Sequence, residues 1–282
     1  AMNTRQSYTD VRPSPIAGRW YPGSRSALAE DIDRMLDAAP RTEVPGQIIG
    51  LVAPHAGYIY SGPIAAAAFR LVRNMSFERV TVISPMHSAF GRQPVMTTGH
   101  QAYQTPLGNI AVDHEALEAL AQDLPIGQAR HDPEHSLEIE LPFLQRALTG
   151  DFRLIPLMLL DQGYPMAQRL GQALAAFIQA DPTPMLLVAS SDLSHFKPLA
   201  EAERLDKIML DHIAAFDPES VIRAEEEGRA FACGHGAIAT VLVAARELGA
   251  TKADIAGYGT SAEASGDTHQ VVGYGAAVIY KA

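Results

Sequence analysis

The chain has 282 residues, 47% hydrophobic and 19% charged, which is ample for a large packed core and excludes an intrinsically disordered chain. Its net charge of −10 argues against nucleic acid as a main partner, because phosphate-backbone binding needs clustered Lys and Arg to displace counterions. The longest apolar runs, such as Ile64–Phe69, fall far short of the roughly 18 residues that span a bilayer, a single cysteine permits no internal disulfide, and no basic-then-apolar leader is visible, so a cytoplasmic protein without a membrane partner is expected.

Ala1 ahead of Met2 reads as a residue left before an initiator and is set aside, and residues 1–10 read as a flexible extension. After a Pro-containing entry over 12–23, Ser26–Leu36 places Leu28, Ile32, Met35 and Leu36 at helical spacing, with Ser24 or Ser26 as N-cap. Ile48–Ala53 reads as a buried strand, followed by the turn Pro54-His55-Ala56-Gly57-Tyr58 and a small-residue helix expected from about Gly62 to Met75. Val80–Ile83 is a short β-branched strand running into Ser84-Pro85-Met86-His87. Helical stretches near Glu115–Gln122, Leu137–Leu148 and Met166–Gln179 then alternate with strand-length apolar runs at Phe152–Leu160 and Met185–Ala189, and Ala237–Leu248 reads as a further helix. Strands separated by helices of this size imply βαβ units, hence an α/β fold, a three-layer sandwich with a central mainly parallel or mixed sheet flanked by helices. Asp254–Gly259 and Val271–Tyr280 lack a long helix between them, so an antiparallel or mixed sheet edge is expected there. No repeat, low-complexity block or Gly/Ser linker divides the chain, and a single domain over 1–282 is the simplest reading.

Three apolar runs end within a few residues on a histidine: His55, His87 and, after Asp192, His195. Loops leaving the carboxyl ends of neighbouring strands converge on one crevice in such folds, which suggests a metal site, and a thiolate from Cys233 is a natural further ligand. Any one of these histidines is most simply a satisfied polar residue, but three on three strand ends favour a joint role. Asp192, three residues before His195, either orients an imidazole for acid–base work or caps a helix. Cys233 sits just ahead of a helix, where backbone N–H groups stabilise a thiolate, or is a small buried hydrophobe; His235 is a weaker candidate. His131 and His135 form an i, i+4 pair that could bind metal on a helix face. The better reading makes Asp132 an N-cap and Pro133 the first helical residue, with Leu137, Leu141, Leu144 and Leu148 as a buried stripe and Pro142 kinking or breaking the helix. Glu138 and Glu140 then read as solvated or salt-bridged. The late glycines, in Gly257-Tyr258-Gly259 and Ser265-Gly266-Asp267, are turn glycines without the strand and helix context of a nucleotide loop.

Several ordered blocks carry a resemblance: Val11-Arg12-Pro13, Ala17-Gly18-Arg19-Trp20-Tyr21-Pro22-Gly23, Ala53-Pro54-His55-Ala56-Gly57-Tyr58, Glu134-His135-Ser136-Leu137-Glu138, Ser190-Ser191-Asp192-Leu193-Ser194-His195, Ala232-Cys233-Gly234 and Tyr258-Gly259-Thr260-Ser261. Over nearly its whole length the chain resembles the Memo family, whose bacterial members are often labelled AmmeMemoRadiSam system protein B. That family is similar in fold to the LigB-type class III extradiol dioxygenases, in which two His and one Glu bind Fe(II). The resemblance implies His55, His87 and Cys233 as metal ligands, with Fe(II) foremost and copper or zinc as competitors, and His195 beside Asp192 as the acid–base residue. Two departures stand out. Ser84-Pro85-Met86-His87 replaces a more usual Gly-Pro-Asn/Ser-His, making the pocket wall less polar, and His235-Gly236-Ala237 stands where a basic residue and a proline are common.

The function so implied is that of a metal-binding, dioxygenase-like oxidoreductase acting with O₂ on a small catechol-like substrate. One alternative is a non-catalytic metal- or peptide-binding partner protein. Another is a zinc amidohydrolase in which Asp192 or Glu138 activates water. The bacterial label also implies company with an Amme-domain protein and a radical-SAM protein.

Overall fold

A computed structural model describes residues 9–282. Of the extension expected over 1–10, the first eight residues lie outside this range, while Asp10 accepts hydrogen bonds from Arg130 and lies 2.9 Å from His100 Nδ1. The chain enters through β1 (Val11–Arg12) and α1 (Arg25–Ala38), capped by Ser24 and turning Leu28, Ile32, Met35 and Leu36 inward. β2 (Gln47–Ala53) leads into α2 (Tyr58–Phe69), which starts a turn earlier than its composition suggests: the Tyr58 N–H is taken by the Trp20 carbonyl, and Pro63 sits on the exposed side. β3 (Arg79–Pro85) follows. An excursion comes next whose strands are not foreseen from the sequence, β4 (Val95–Thr98), β5 (Ala102–Thr105), β6 (Gly108–Ala111) and β7 (Ile126–Ala129), while its helix α3 (His114–Leu120) is the one expected near Glu115–Gln122. Then come α4 (Leu141–Ala147), β8 (Arg153–Leu159), α5 (Tyr164–Ala180) and β9 (Met185–Ser190). The remainder is β10 (His195–Lys197), α6 (Leu199–Ala214), α7 (Pro218–Glu226), α8 (His235–Glu247), β11 (Lys252–Thr260), α9 (Ala262–Ser265) and β12 (Val271–Lys281).

The central sheet is mixed. Its middle is four parallel strands in the order β2, β9, β3, β8, and both flanks turn antiparallel, through β12 against β2 and β4 against β8. Strands covered on both faces are mostly apolar, and β3 and β9 are buried almost throughout, β3 at all seven positions, with Arg79, Thr81 and Ser84 of β3 and Ser190 of β9 as their buried polar members. Helices α1, α2 and α4 pack together, and α5, α7 and α8 form a second group in which α8 lies on β2, β9 and β3. The expected three layers follow, with the tail strands β11 and β12 paired antiparallel as anticipated. No helix among the described residues is long and apolar enough to cross a membrane.

Residues 131–148 depart from expectation. Residues 131–136 form no helix, so Asp132 is not an N-cap; one 3₁₀ turn at Glu138–Glu140 precedes α4, which has Pro142 in its first turn. The reason is Arg12, 2% exposed, which draws this segment toward β1. Its Nε donates to Asp132 Oδ2 at 2.7 Å, Nη1 to Glu138 Oε1 at 2.6 Å, and Nη2 to the Glu134 carbonyl at 2.9 Å. Glu138 also accepts from Ser14 and Tyr21, so it is salt-bridged within the core, whereas Glu140 is fully buried and, among the described residues, paired with no cation. The leucine stripe still faces inward.

Removing one partner of a buried ion network strands the other charges, so Arg12→Ala is expected to lower the unfolding free energy by about 3–5 kcal/mol. A urea midpoint equal to that of the parent protein would refute this role for Arg12.

Candidate metal centre

Because β9 lies between β2 and β3, the ends Ala53, Ser190 and Pro85 are neighbours on one edge of the sheet. His55 and His87 follow β2 and β3, Asp192 follows β9, and Cys233 lies just ahead of α8. One donor atom from each of His55, His87 and Cys233 falls within 4.8 Å of the others. The two imidazoles meet edge to face with centroids 5.2 Å apart.

His55 is 1% exposed and held on three sides. Its Nδ1 lies 2.8 Å from Ser190 Oγ, its N–H donates to Asp192 Oδ1 at 2.7 Å, and its Nε2 is 3.1 Å from Cys233 Sγ. Burial, helped by the neighbouring imidazoles of His135 and His87, holds His55 well below the usual histidine range, so the ring is neutral and can present a lone pair. His87 is more exposed and is governed by Glu134, whose carboxylate accepts the His87 N–H at 2.6 Å and sits 2.8 Å from Nδ1. Burial alone would lower His87, but the hydrogen bond and charge of Glu134 outweigh it and raise it. Glu134 in turn is buried yet drawn down to about 2 by His87 and by the Ser136 N–H. A carboxylate on the outer nitrogen of an imidazole is the usual support of a metal-binding histidine, since it fixes the ring and raises its basicity.

Cys233 is seated by its backbone. Gln162 donates to its carbonyl at 2.8 Å, its own N–H donates to the Asp192 carbonyl, and the Asp192 N–H points at Sγ from 3.2 Å. The following residue must be glycine: a Cβ on Gly234 would collide with the Ser190 carbonyl and the Ser191 side chain. Burial and the nearby Asp192 carboxyl push the Cys233 thiol well up, so the sulfur stays protonated unless a cation compensates it. Burial likewise pushes Asp192 up to about 7, with its Oδ2 3.9 Å from His55 Nε2. Two imidazole nitrogens with occupied outer partners and one thiol needing positive charge form a donor set that fits a soft or borderline divalent metal.

His195 lies outside the cluster, on exposed β10. Its Nδ1–H donates to the Leu193 carbonyl at 2.8 Å, which leaves Nε2 with its lone pair. Asp192, weighed as a helix cap, caps nothing, because no helix follows it. His131 is exposed and takes no part, and His235 turns its Nδ1 onto the Ala232 carbonyl. His135 stacks on His87 with centroids 4.7 Å apart and on Trp20 at 4.1 Å, and burial pushes it down to about 4. The sequence reading gives Glu134, Ser190 and Trp20 no role at the site and offers His135 only as a helix-face partner of His131. The signal was the Glu134-His135-Ser136 run, hidden by reading it as a helix start. Glu138 is committed to Arg12, Ser14 and Tyr21. A cavity of about 490 Å³ borders the cluster through Ala56 and Gly57, with Trp20, Tyr60, Phe196 and Tyr274 as aromatic walls and Arg19 among its lining residues.

A family model described as Memo-like protein matches residues 12–278. A MEMO1 family protein of Nitrosopumilus maritimus (strain SCM1) is 35% identical over 273 residues, covering 94% of this chain and 98% of that protein. The corresponding figures for a MEMO1 family protein of Methanococcoides burtonii are 34% over 271 residues, 95% and 100%. Among solved structures, the crystal structure of uncharacterized protein JW3007 from Escherichia coli K12 aligns with a TM-score of 0.50 and 15% identity, over 82% of this chain and 100% of that one, a likeness of fold alone.

Glu134→Gln replaces one of the two acceptor oxygens facing His87 with an amide donor. Metal affinity is expected to fall roughly 10–100-fold, measured by competition with a chelator, with the fold retained by circular dichroism. Equal affinity would mean that Glu134 does not hold His87 for a metal.

Proposed function

The chain belongs to the Memo-like family, and from that premise we propose that it is a mononuclear non-haem iron protein with His55, His87 and Cys233 as ligands. The reading continues to a dioxygenase-like oxidoreductase acting with O₂ on a small catechol-like aromatic substrate. The observation that carries it is the convergence of two neutral-capable imidazoles and a half-buried thiol within 4.8 Å, each imidazole with Nδ1 already engaged. Iron(II) bound there would supply Lewis acidity and one-electron chemistry toward oxygen and an oxidisable substrate; the thiolate in place of a carboxylate softens the site and makes copper or zinc competitive.

The surrounding residues support the same reading. His195 can accept a substrate proton at Nε2, because its Nδ1–H is committed to Leu193. Asp192 is tied to the backbone of His55 and sits between this loop and the thiol. The aromatic walls of the adjoining cavity, the buried ring of Tyr274 among them, suit a flat ring. The exposed Ile59, Tyr60 and Phe196 at that cavity favour a second reading, a metal-containing module that binds a partner without turnover.

Anaerobic iron loading followed by metal analysis tests the ligand set: His55→Ala and Cys233→Ser are expected to lose the iron, and retention of a full equivalent would overturn the assignment. Oxygen uptake with a panel of catechols tests the reaction. His195→Gln is expected to keep its iron and lose roughly 10²–10⁴-fold in rate, whereas binding of the panel with no oxygen consumption by the iron-loaded parent favours the binding module.

A further inference from the structure

Ser190, the last residue of β9, has one hydroxyl proton and three polar neighbours. The Ser136 carbonyl lies at 2.6 Å, His55 Nδ1 at 2.8 Å and Glu140 Oε1 at 2.9 Å. A carbonyl can only accept, and as the shortest contact it takes the hydroxyl proton. Ser190 Oγ is then left with two lone pairs facing His55 and Glu140. Both contacts are hydrogen bonds only if both neighbours donate, His55 through Nδ1–H and Glu140 as a protonated acid.

Glu140 is otherwise hard to account for. It is fully buried, no cation pairs with it, and its Oε2 has no hydrogen-bond partner among the described residues. Burial pushes its carboxyl well up, consistent with the neutral form. A carboxyl with an unpartnered buried oxygen weakens the fold relative to an apolar side chain of similar size. Among the described residues its side chain makes one hydrogen bond, to Ser190, and through Ser190 it reaches His55.

We propose that Glu140 is a positioning residue: as a neutral carboxylic acid it locks the Ser190 hydroxyl, and through it holds His55 in the Nδ1–H tautomer that keeps Nε2 a lone-pair donor facing Cys233. With the Glu140 bond gone, only the Ser136 carbonyl still holds the Ser190 hydroxyl, so its proton can exchange that acceptor for His55 Nδ1, which moves the imidazole proton to Nε2 and blocks the metal-facing nitrogen. The bearing on metal binding rests on the ligand assignment proposed above; the tautomer does not.

The test uses Glu140→Leu, Glu140→Gln and Ser190→Ala in the full chain, with two readouts. Long-range ¹⁵N NMR of the metal-free protein reports the His55 tautomer, and titration with Co²⁺ reports affinity and the sulfur-to-cobalt charge-transfer band. Glu140→Leu is expected to be at least as heat-stable as the parent, to populate the Nε2–H tautomer of His55, and to lose Co²⁺ affinity roughly tenfold. Glu140→Gln, whose amide N–H can donate to Ser190, restores both readouts. Ser190→Ala cuts the link with Glu140 in place and reproduces the loss even if Glu140→Leu does not fold. His55 remaining wholly Nδ1–H in Glu140→Leu or Ser190→Ala overturns the proposal, as does Glu140→Gln behaving like Glu140→Leu. If the parent itself binds no Co²⁺, the ligand assignment falls while the tautomer still decides the role of Glu140.

Discussion

An imidazole can offer a metal one ring nitrogen while the other holds the ring in place, and the centre of this molecule depends on that constraint. His55 uses Nδ1 on Ser190 and His87 uses Nδ1 on Glu134, so what remains of both rings faces the space beside Cys233. The supporting groups come from other parts of the chain than the rings they support: Ser190 from the end of β9, Glu134 from the segment between β7 and α4. The strand order β2, β9, β3 is therefore part of the chemistry, since β9 alone can place a hydroxyl between the two histidine-bearing ends.

Burial and charge are balanced against each other throughout this region. His55 and His135 are held neutral, Cys233 is kept a thiol and Asp192 is pushed up to about 7, while Glu134 stays ionised because His87 and backbone N–H groups surround it. Acids and a thiol forced toward their neutral forms beside lone-pair nitrogens make a set of groups whose electrostatics a bound cation would complete. Arg12 performs the corresponding service one layer away. Its guanidinium lies over the Tyr103 ring and gathers Asp132, Glu138 and the Glu134 carbonyl, which leaves the Glu134 carboxylate free to turn toward His87.

Much of the scaffold was legible along the chain because its signals are local. Leu28, Ile32, Met35 and Leu36 at helical spacing behind Ser24, the apolar runs of β2, β3 and β9, and the long alternating β12 each declare themselves within a few residues. The candidate residues His55, His87, Asp192 and Cys233 were visible as polar groups stationed at element ends. The helix expected behind Asp132 failed for a reason no window around it contains: a residue 120 positions earlier, Arg12, captures its carboxylate. Glu140 was misread in the same way, since the group that meets its carboxyl, Ser190 at the end of β9, lies 50 positions further along the chain.

By itself the sequence determined the kind of elements, their alternation and hence the layered α/β class, together with the stock of imidazoles, carboxylates and one thiol that any chemistry must use. Those properties follow from periodicity and residue type, which act over one or two turns of chain. Which nitrogen each histidine presents, which carboxylate supports it and which acid is held neutral were decided by the tertiary structure alone. Hydrogen-bond direction and burial belong to groups brought together across a hundred residues or more, and they exist only once the strands are in order.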